Sequence, residues 1–267
     1  MAETAASDAV TLETHEGIAT ITLNRPDVRN ALTSEVSAGI LDALETIEGS
    51  DARCVVLQGA GDAFCAGGDV NAMTDRVGED MDLAETVRGM NQTTGRTIAR
   101  VAKFYLPTVA KIDGPAFGAG ANLAIACDIQ LASASARISF GFRQVGLAVD
   151  SGTSYLLPRI VGTNTAKELV FTGELVDAER AEELGLFNHV YADAFDKRAE
   201  EFVEEIATGP TVALRNSKRL LEKGFETTLD AAIADEASAQ AAVFETRDHR
   251  EGVAAFSEKR DPDFEGR

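Results

Sequence analysis

Asp150 follows the apolar run Leu147, Ala148 and Val149 and precedes the small, flexible pair Ser151-Gly152. A carboxylate in this setting has two uses. It can cap a following helix, and "DSGT" before "SYLLPRIVG" is good capping sequence. It can also handle protons at the end of a pocket, with its pKa lifted by apolar neighbours such as Phe142, Leu147 and Val149. Two further stretches carry chemistry in their backbone, "AFCAGGD" at 63–69 and "DGPAFGAGAN" at 113–122. Each follows a strand pattern and precedes a helical one. Glycine admits positive φ and close approach of a ligand, and unpaired N–H groups at a helix start attract negative charge. Two such turns meeting at one point make an oxyanion hole, in which one donor is worth about 3 kcal/mol. Neither turn has the terminal Gly-Lys-Ser/Thr of a phosphate-binding P-loop or the G-x-G-x-x-G of a dinucleotide site.

Other reactive side chains are few. Cys54, Cys65 and Cys127 form no paired framework and no C-x-x-C motif, and their apolar neighbours mark them as buried reduced thiols. Cys65 lies inside the first glycine turn. The chain's three histidines, His15, His189 and His249, are all remote from a cysteine in sequence, which disfavours both a Cys-His nucleophile and a zinc site.

The elements that must position these groups alternate. Residues 9–23 read as a β-hairpin turning at Glu16-Gly17. Thr33 caps a helix in which Val36, Ile40, Leu41, Leu44 and Ile47 recur at helical spacing, ended by Gly49-Ser50. Strands are expected at 54–59, 107–114 and 128–133, with a small-residue helix after the second glycine turn. This alternation predicts an α/β class with crossover connections. Beyond about residue 163 the pattern is nearly all helix, broken at Gly209-Pro210, and these amphipathic helices need a surface to pack on.

In 267 residues, 44 acids face 25 bases, a net charge of −19. The acids are dispersed, so the whole surface repels nucleic acid and anionic membrane, and neither is expected as a partner. An acidic surface with lysine scarcer than arginine resembles proteins of salt-loving organisms, where counter-ions screen the self-repulsion. No apolar run nears the ~20 residues that cross a bilayer, and the N-terminus lacks a signal peptide's basic start and apolar centre. A soluble, cytoplasmic protein is expected.

"LNRPDVRNAL", "FCAGGD", "KIDGPAFGAGANLAIACDIQLAS", "LPRIVG", "ELVFTGELVDAERAEELGLFNHV" and "EGVAAFSEKRDPDF" occur in an order and spacing that resemble the enoyl-CoA hydratase/isomerase family, the crotonase superfamily. The likeness runs from about residue 9 to the end. It implies a crotonase spiral of β-β-α units over 1–200 holding an acyl-CoA site, and a helical region over 201–267 for oligomerisation and CoA contacts. It also implies homotrimers, often paired into hexamers. The substrate class is an acyl-CoA thioester, with coenzyme A entering as part of the substrate and no separate cofactor. By the same resemblance, the Gly68 and Ala119 N–H groups hold the thioester carbonyl, and Asp69 follows in the same motif. The Ala66 carbonyl faces the adenine amino group, and the loop of Arg25 and Arg29 lies along pantetheine and phosphates. Phe256 and Lys259 meet the nucleotide end, often on a neighbouring subunit. By the resemblance, segment 70–105 lines the acyl pocket, where Met73, Met81, Met90 and Phe104 could adapt to several shapes, although each taken singly reads first as an ordinary core position.

The family's hydratases use two glutamates, whose positions fall here on Asn122 and Phe142. An asparagine amide does not exchange a proton at neutral pH, and a phenylalanine has none to exchange. Members with an acid at the position of Asp150 resemble ring-opening and double-bond isomerases, and also aryl-CoA dehalogenases. The latter need a histidine and tryptophans. This chain has no Trp, and no His between 16 and 188. The resemblance therefore implies an enoyl-CoA isomerase with Asp150 as general acid/base. The alternatives are a hydratase with a non-standard base and a non-catalytic acyl-CoA binder.

Overall fold

A computed structural model of the chain describes residues 4–68 and 82–267. The hairpin forms as expected: β2 (Val10–His15) pairs antiparallel with β3 (Ile18–Leu23), turning through Glu16 and Gly17 at φ +48° and +79°. A further strand, β1 (Thr4–Ser7), adds to its edge. The chain then crosses through α1 (Ser34–Glu48), whose cap Thr33 accepts from the Val36 N–H and whose end is Gly49. From β3 onward every neighbour is parallel: β4 (Cys54–Gly59), β5 (Thr108–Ile112), β7 (Ile129–Ser133) and β10 (His189–Tyr191) complete a seven-stranded sheet. Two helices, α2 (Leu83–Met90) and α3 (Arg96–Ala102), lie on the crossover that leads into β5.

A sheet of this kind is buried on both faces, and its residues alternate accordingly. Val55 and Leu57 enter the main core with α1, whereas Cys54, Val56, Val109 and Leu131 pack on the opposite face against Ala199, Val203 and Ala207. A second layer of three short strands, β6 (Pro115–Phe117), β8 (Arg137–Ser139) and β9 (Val176–Asp177), lies alongside. The repeat is visible in β5, β6 and α4 (Ala119–Ile125), where a long strand, a short strand and a helix come in succession. One repeat earlier, β4 is followed by a single parallel bridge from Cys65 to Ala116 in place of a short strand. This is the β-β-α spiral of the crotonase fold. Helices dominate the rest of the chain: α5 (Thr153–Val161), α6 (Thr163–Thr172), α7 (Ala178–Glu183), α8 (Phe195–Ala207), α9 (Thr211–Gly224), α10 (Leu229–Phe244) and α11 (Arg247–Glu258). The expected helical run after 163 is interrupted by β9 and β10, which close the second layer and the main sheet respectively.

Candidate active site

Both glycine turns sit at the downstream end of a second-layer segment, and their backbones are stitched together. The Cys65 N–H donates to the Pro115 carbonyl at 3.1 Å, and the Phe117 N–H donates to the Cys65 carbonyl at 3.0 Å. The approach is as close as backbone allows. A Cβ on Gly120 would lie 2.1 Å from the Cys65 carbonyl oxygen, and one on Gly67 would lie 2.6 Å from that of Phe117 and 3.6 Å from the Ala119 nitrogen. Gly67 (φ +97°) and Gly118 (φ +51°) supply the left-handed corners. The Leu32 N–H donates to the Gly67 carbonyl (2.7 Å), and the Gly118 N–H to the Ser139 carbonyl (2.9 Å), so both corners are anchored from behind. Among the described residues, the Gly68 and Ala119 N–H groups have no hydrogen-bond acceptor. These are the two donors the sequence points to.

Gly68, Ala119 and Asp150 line one cavity of about 1150 Å³, together with Ala66, Gly67, Phe117, Phe142 and Leu147. Phe142 is buried as part of the wall, and Val149 packs against the core behind it. Asp150 is half-buried, and its Oδ1 atom is fully buried with no hydrogen-bond partner. Burial pushes its carboxyl above the ordinary value of 3.8, and Ser151 acts in the opposite direction. The side chain does not cap the helix after it. The N-cap of α5 is Gly152, with no side-chain bond, and Asp150 contributes its backbone carbonyl to the Thr153 N–H at 2.9 Å. The capping use of this aspartate is thereby set aside, because the left-handed Ser151-Gly152 pair (φ +47° and +87°) moves the helix start two residues on.

Of the remaining residues, Arg25 reaches the cavity rim and is ion-paired at 3.0 Å with Glu35, also on the rim. Arg29 is exposed off the wall; its carbonyl accepts from the Ala66 N–H at 2.9 Å. Phe256 and Lys259 are not brought to this cavity within one chain. Phe256 is 88% exposed on the last helix, α11, and lines a separate groove of about 350 Å³ with Val243 and Phe264. Lys259 closes that helix in a left-handed conformation. Asp69, Met73 and Met81 lie outside the described residues. From segment 70–105, Thr86, Gly89, Met90, Thr93 and Thr94 line the cavity. Phe104 takes the core reading: it is fully buried, its ring packed on Tyr105 with centroids 4.9 Å apart.

Two buried polar side chains do more than the sequence suggested. Asn30 accepts from the Arg25 N–H (2.9 Å) and donates to the carbonyls of Ala60 (2.9 Å) and Ala63 (2.7 Å), tying the Arg25 loop to the approach to Cys65. An asparagine in "DVRNAL", tolerant of its φ of +55°, was the available signal. Asn122, fully buried, donates from Nδ2 to the Asp150 carbonyl at 3.0 Å. The Cys65 thiol is enclosed and its pKa is pushed to about 12 by burial, which removes it as a nucleophile; Cys54 is likewise at about 12, and Cys127 is raised for the same reason. Among the described residues, no group of three or more His, Cys, Asp or Glu could hold a metal ion, and no helix is long and apolar enough to cross a membrane.

The fold and this pair of turns define a class: a β-β-α spiral with two backbone donors set side by side on one cavity wall. The chain belongs to the enoyl-CoA hydratase/isomerase family, whose model matches residues 13–267. It is 36% identical over 255 residues to the 1,2-epoxyphenylacetyl-CoA isomerase of Escherichia coli, covering 94% of this chain and 96% of that one. It is 33% identical over 249 residues to the 2,3-dehydroadipyl-CoA hydratase of the same organism, covering 92% and 94%. The crystal structure of an enoyl-CoA hydratase/isomerase from Cupriavidus metallidurans superposes with a TM-score of 0.90 at 33% identity, covering 97% of both chains.

Proposed function

We propose that the protein is an enoyl-CoA isomerase that moves a double bond along an acyl thioester, with Asp150 as the proton-transferring group. The observation that carries this reading is the state of Asp150 among the described carboxylates around the cavity. Glu35 is paired with Arg25, Asp82 caps a helix, and Glu85 is exposed. Asp150 alone presents a buried oxygen without a partner on the wall that also holds Gly68 and Ala119. In this reading the thioester carbonyl accepts from the Gly68 and Ala119 N–H groups. The Asp150 carboxylate takes a proton from the α or γ carbon, and the two donors stabilise the enolate oxygen as charge builds on it. The same carboxyl then returns the proton at the other end of the conjugated system. One carboxylate suffices for this. Water addition in the family's usual manner would need the acids that Asn122 and Phe142 replace.

The decisive measurement is isomerisation of a 3-enoyl-CoA by the wild type and by Asp150→Asn. Loss of the base should lower kcat by about 10²- to 10⁴-fold. A wild-type rate in the variant overturns the assignment. Faster water addition to crotonyl-CoA than isomerisation would make the protein a hydratase with a non-standard base. Tight acyl-CoA binding with neither reaction would make it a binder.

The apolar side chains left exposed on the C-terminal helices, among them Leu221, Phe225, Leu229, Ile233 and Phe256, support assembly through region 201–267 into a trimer or a pair of trimers. Phe256 and Lys259 would then serve the nucleotide end of an acyl-CoA held by a neighbouring copy. Free, enclosed thiols at all three cysteines fit a reducing cytoplasm.

A further inference from the structure

We infer that Asn122 and Thr153 form a positioning clamp that fixes Asp150 relative to the oxyanion donor Ala119. The inference rests on the isomerase reading of Asp150. Helix α4 carries both ends of the arrangement: Ala119 is its first residue, and Asn122 lies three residues on, hence on the same face one turn away. All seven residues of this helix are buried, so it is a rigid platform. Asn122 Nδ2 donates to the Asp150 carbonyl at 3.0 Å, and the Thr153 N–H donates to the same oxygen at 2.9 Å. The Thr153 hydroxyl stands 2.7 Å from Asn122 Oδ1 and 2.9 Å from the Asp150 carbonyl, and its single proton serves one or the other. Both side chains are almost wholly enclosed, Asn122 at 0% and Thr153 at 1% exposure.

The backbone next to the clamp explains why one is needed. Ser151 and Gly152 follow Asp150 in two consecutive left-handed conformations, and serine does not favour that region. Such a turn persists when its surroundings over-determine it. Two hydrogen bonds converging on the Asp150 carbonyl, from Asn122 Nδ2 and the Thr153 N–H, do this, with the Thr153 hydroxyl donating at 2.7 Å to Asn122 Oδ1 to close the clamp, and they leave the carboxyl itself unengaged at Oδ1. The amide at position 122 is therefore committed on both its polar atoms. A glutamate there would lose the donor and add a methylene inside a fully enclosed site. Other charged described residues around the cavity are Arg25, Glu35, Asp82 and Glu85, and none of them causes the upward shift at Asp150, which comes from burial.

The test uses Asn122→Ala and Thr153→Val, with Thr153→Ser as the conservative rescue, in wild-type and Asp150→Asn backgrounds. A misplaced reacting group costs up to about 100-fold, so kcat should fall by about 10- to 100-fold in the first two variants while KM stays within about threefold. Thr153→Ser should restore kcat. In the Asp150→Asn background the same substitutions should add no further loss. An equal further loss there, or unchanged kcat in both variants, overturns the clamp. A readout independent of turnover is the titration of Asp150, followed by carboxyl NMR in aspartate-labelled protein and assigned by its absence in Asp150→Asn. Release of the clamp should let water reach the carboxyl and lower its midpoint towards 3.8, the ordinary value. An unmoved midpoint in folded variants overturns the inference. If Asp150→Asn turns over at the wild-type rate, the isomerase reading fails, and the midpoint still decides the clamp.

Discussion

A carboxyl with one oxygen sealed from water and unpaired is costly unless it is often protonated. This sets the pH behaviour of Asp150. Its folded pKa lies above the ordinary 3.8, so the proton-accepting form is lost at a higher pH than for an exposed aspartate. The pH profile of kcat/KM reports the free enzyme. It should be flat above the raised pKa and fall as pH drops through it, so its acid limb stands above pH 3.8. An acid limb at or below that value would show that some other group moves the proton. What the sequence showed at this scale was the aspartate and its apolar approach. It could not separate a cap from a base, because that depends on Ser151 and Gly152 both turning left-handed. Nor did it reveal the bond from Asn122, whose partner is a backbone carbonyl 28 residues away.

Between elements, the critical distance is the one separating α4 from the Cys65 segment. Gly120 sits where any Cβ would be 2.1 Å from a carbonyl oxygen, so Gly120→Ala must push the two glycine turns apart. Overpacking of this kind costs typically about 1–3 kcal/mol. The variant should lose about that much stability in denaturant unfolding and should also weaken acyl-CoA binding, since Gly68 and Ala119 lie on opposite sides of the contact. Unchanged affinity would mean that the turns are not the binding site. Long elements were legible beforehand. The hairpin announced itself by alternation around Glu16-Gly17, and α1 by Thr33, its apolar spacing and Gly49. The second layer was not, since β6 and β8 have three residues each and β9 two, too few to show a period. These strands exist because distant segments pair with them, and only the tertiary structure supplies those partners.

For the molecule as a whole, the governing quantity is a net charge of −19 spread over the surface. Self-repulsion of that size is screened over ~10 Å at 0.1 M salt and ~3 Å at 1 M. Raising salt from about 0.1 M to 2 M should therefore raise the melting temperature, by about 5 °C if roughly 2 kcal/mol of repulsion is removed. Light scattering across the same series should show three or six chains per particle at the high-salt end. A melting temperature and particle mass indifferent to salt would detach the acidic surface from stability and assembly alike.

The three enclosed thiols have a practical consequence. Cys54 and Cys65, at pKa values of about 12, and Cys127, raised likewise, present almost no thiolate at neutral pH and no surface to a reagent. The native chain is thus a silent background for site-specific labelling. A single cysteine introduced at Val145, on the cavity mouth and 61% exposed, would carry a fluorophore that reports ligand entry with every natural cysteine left in place.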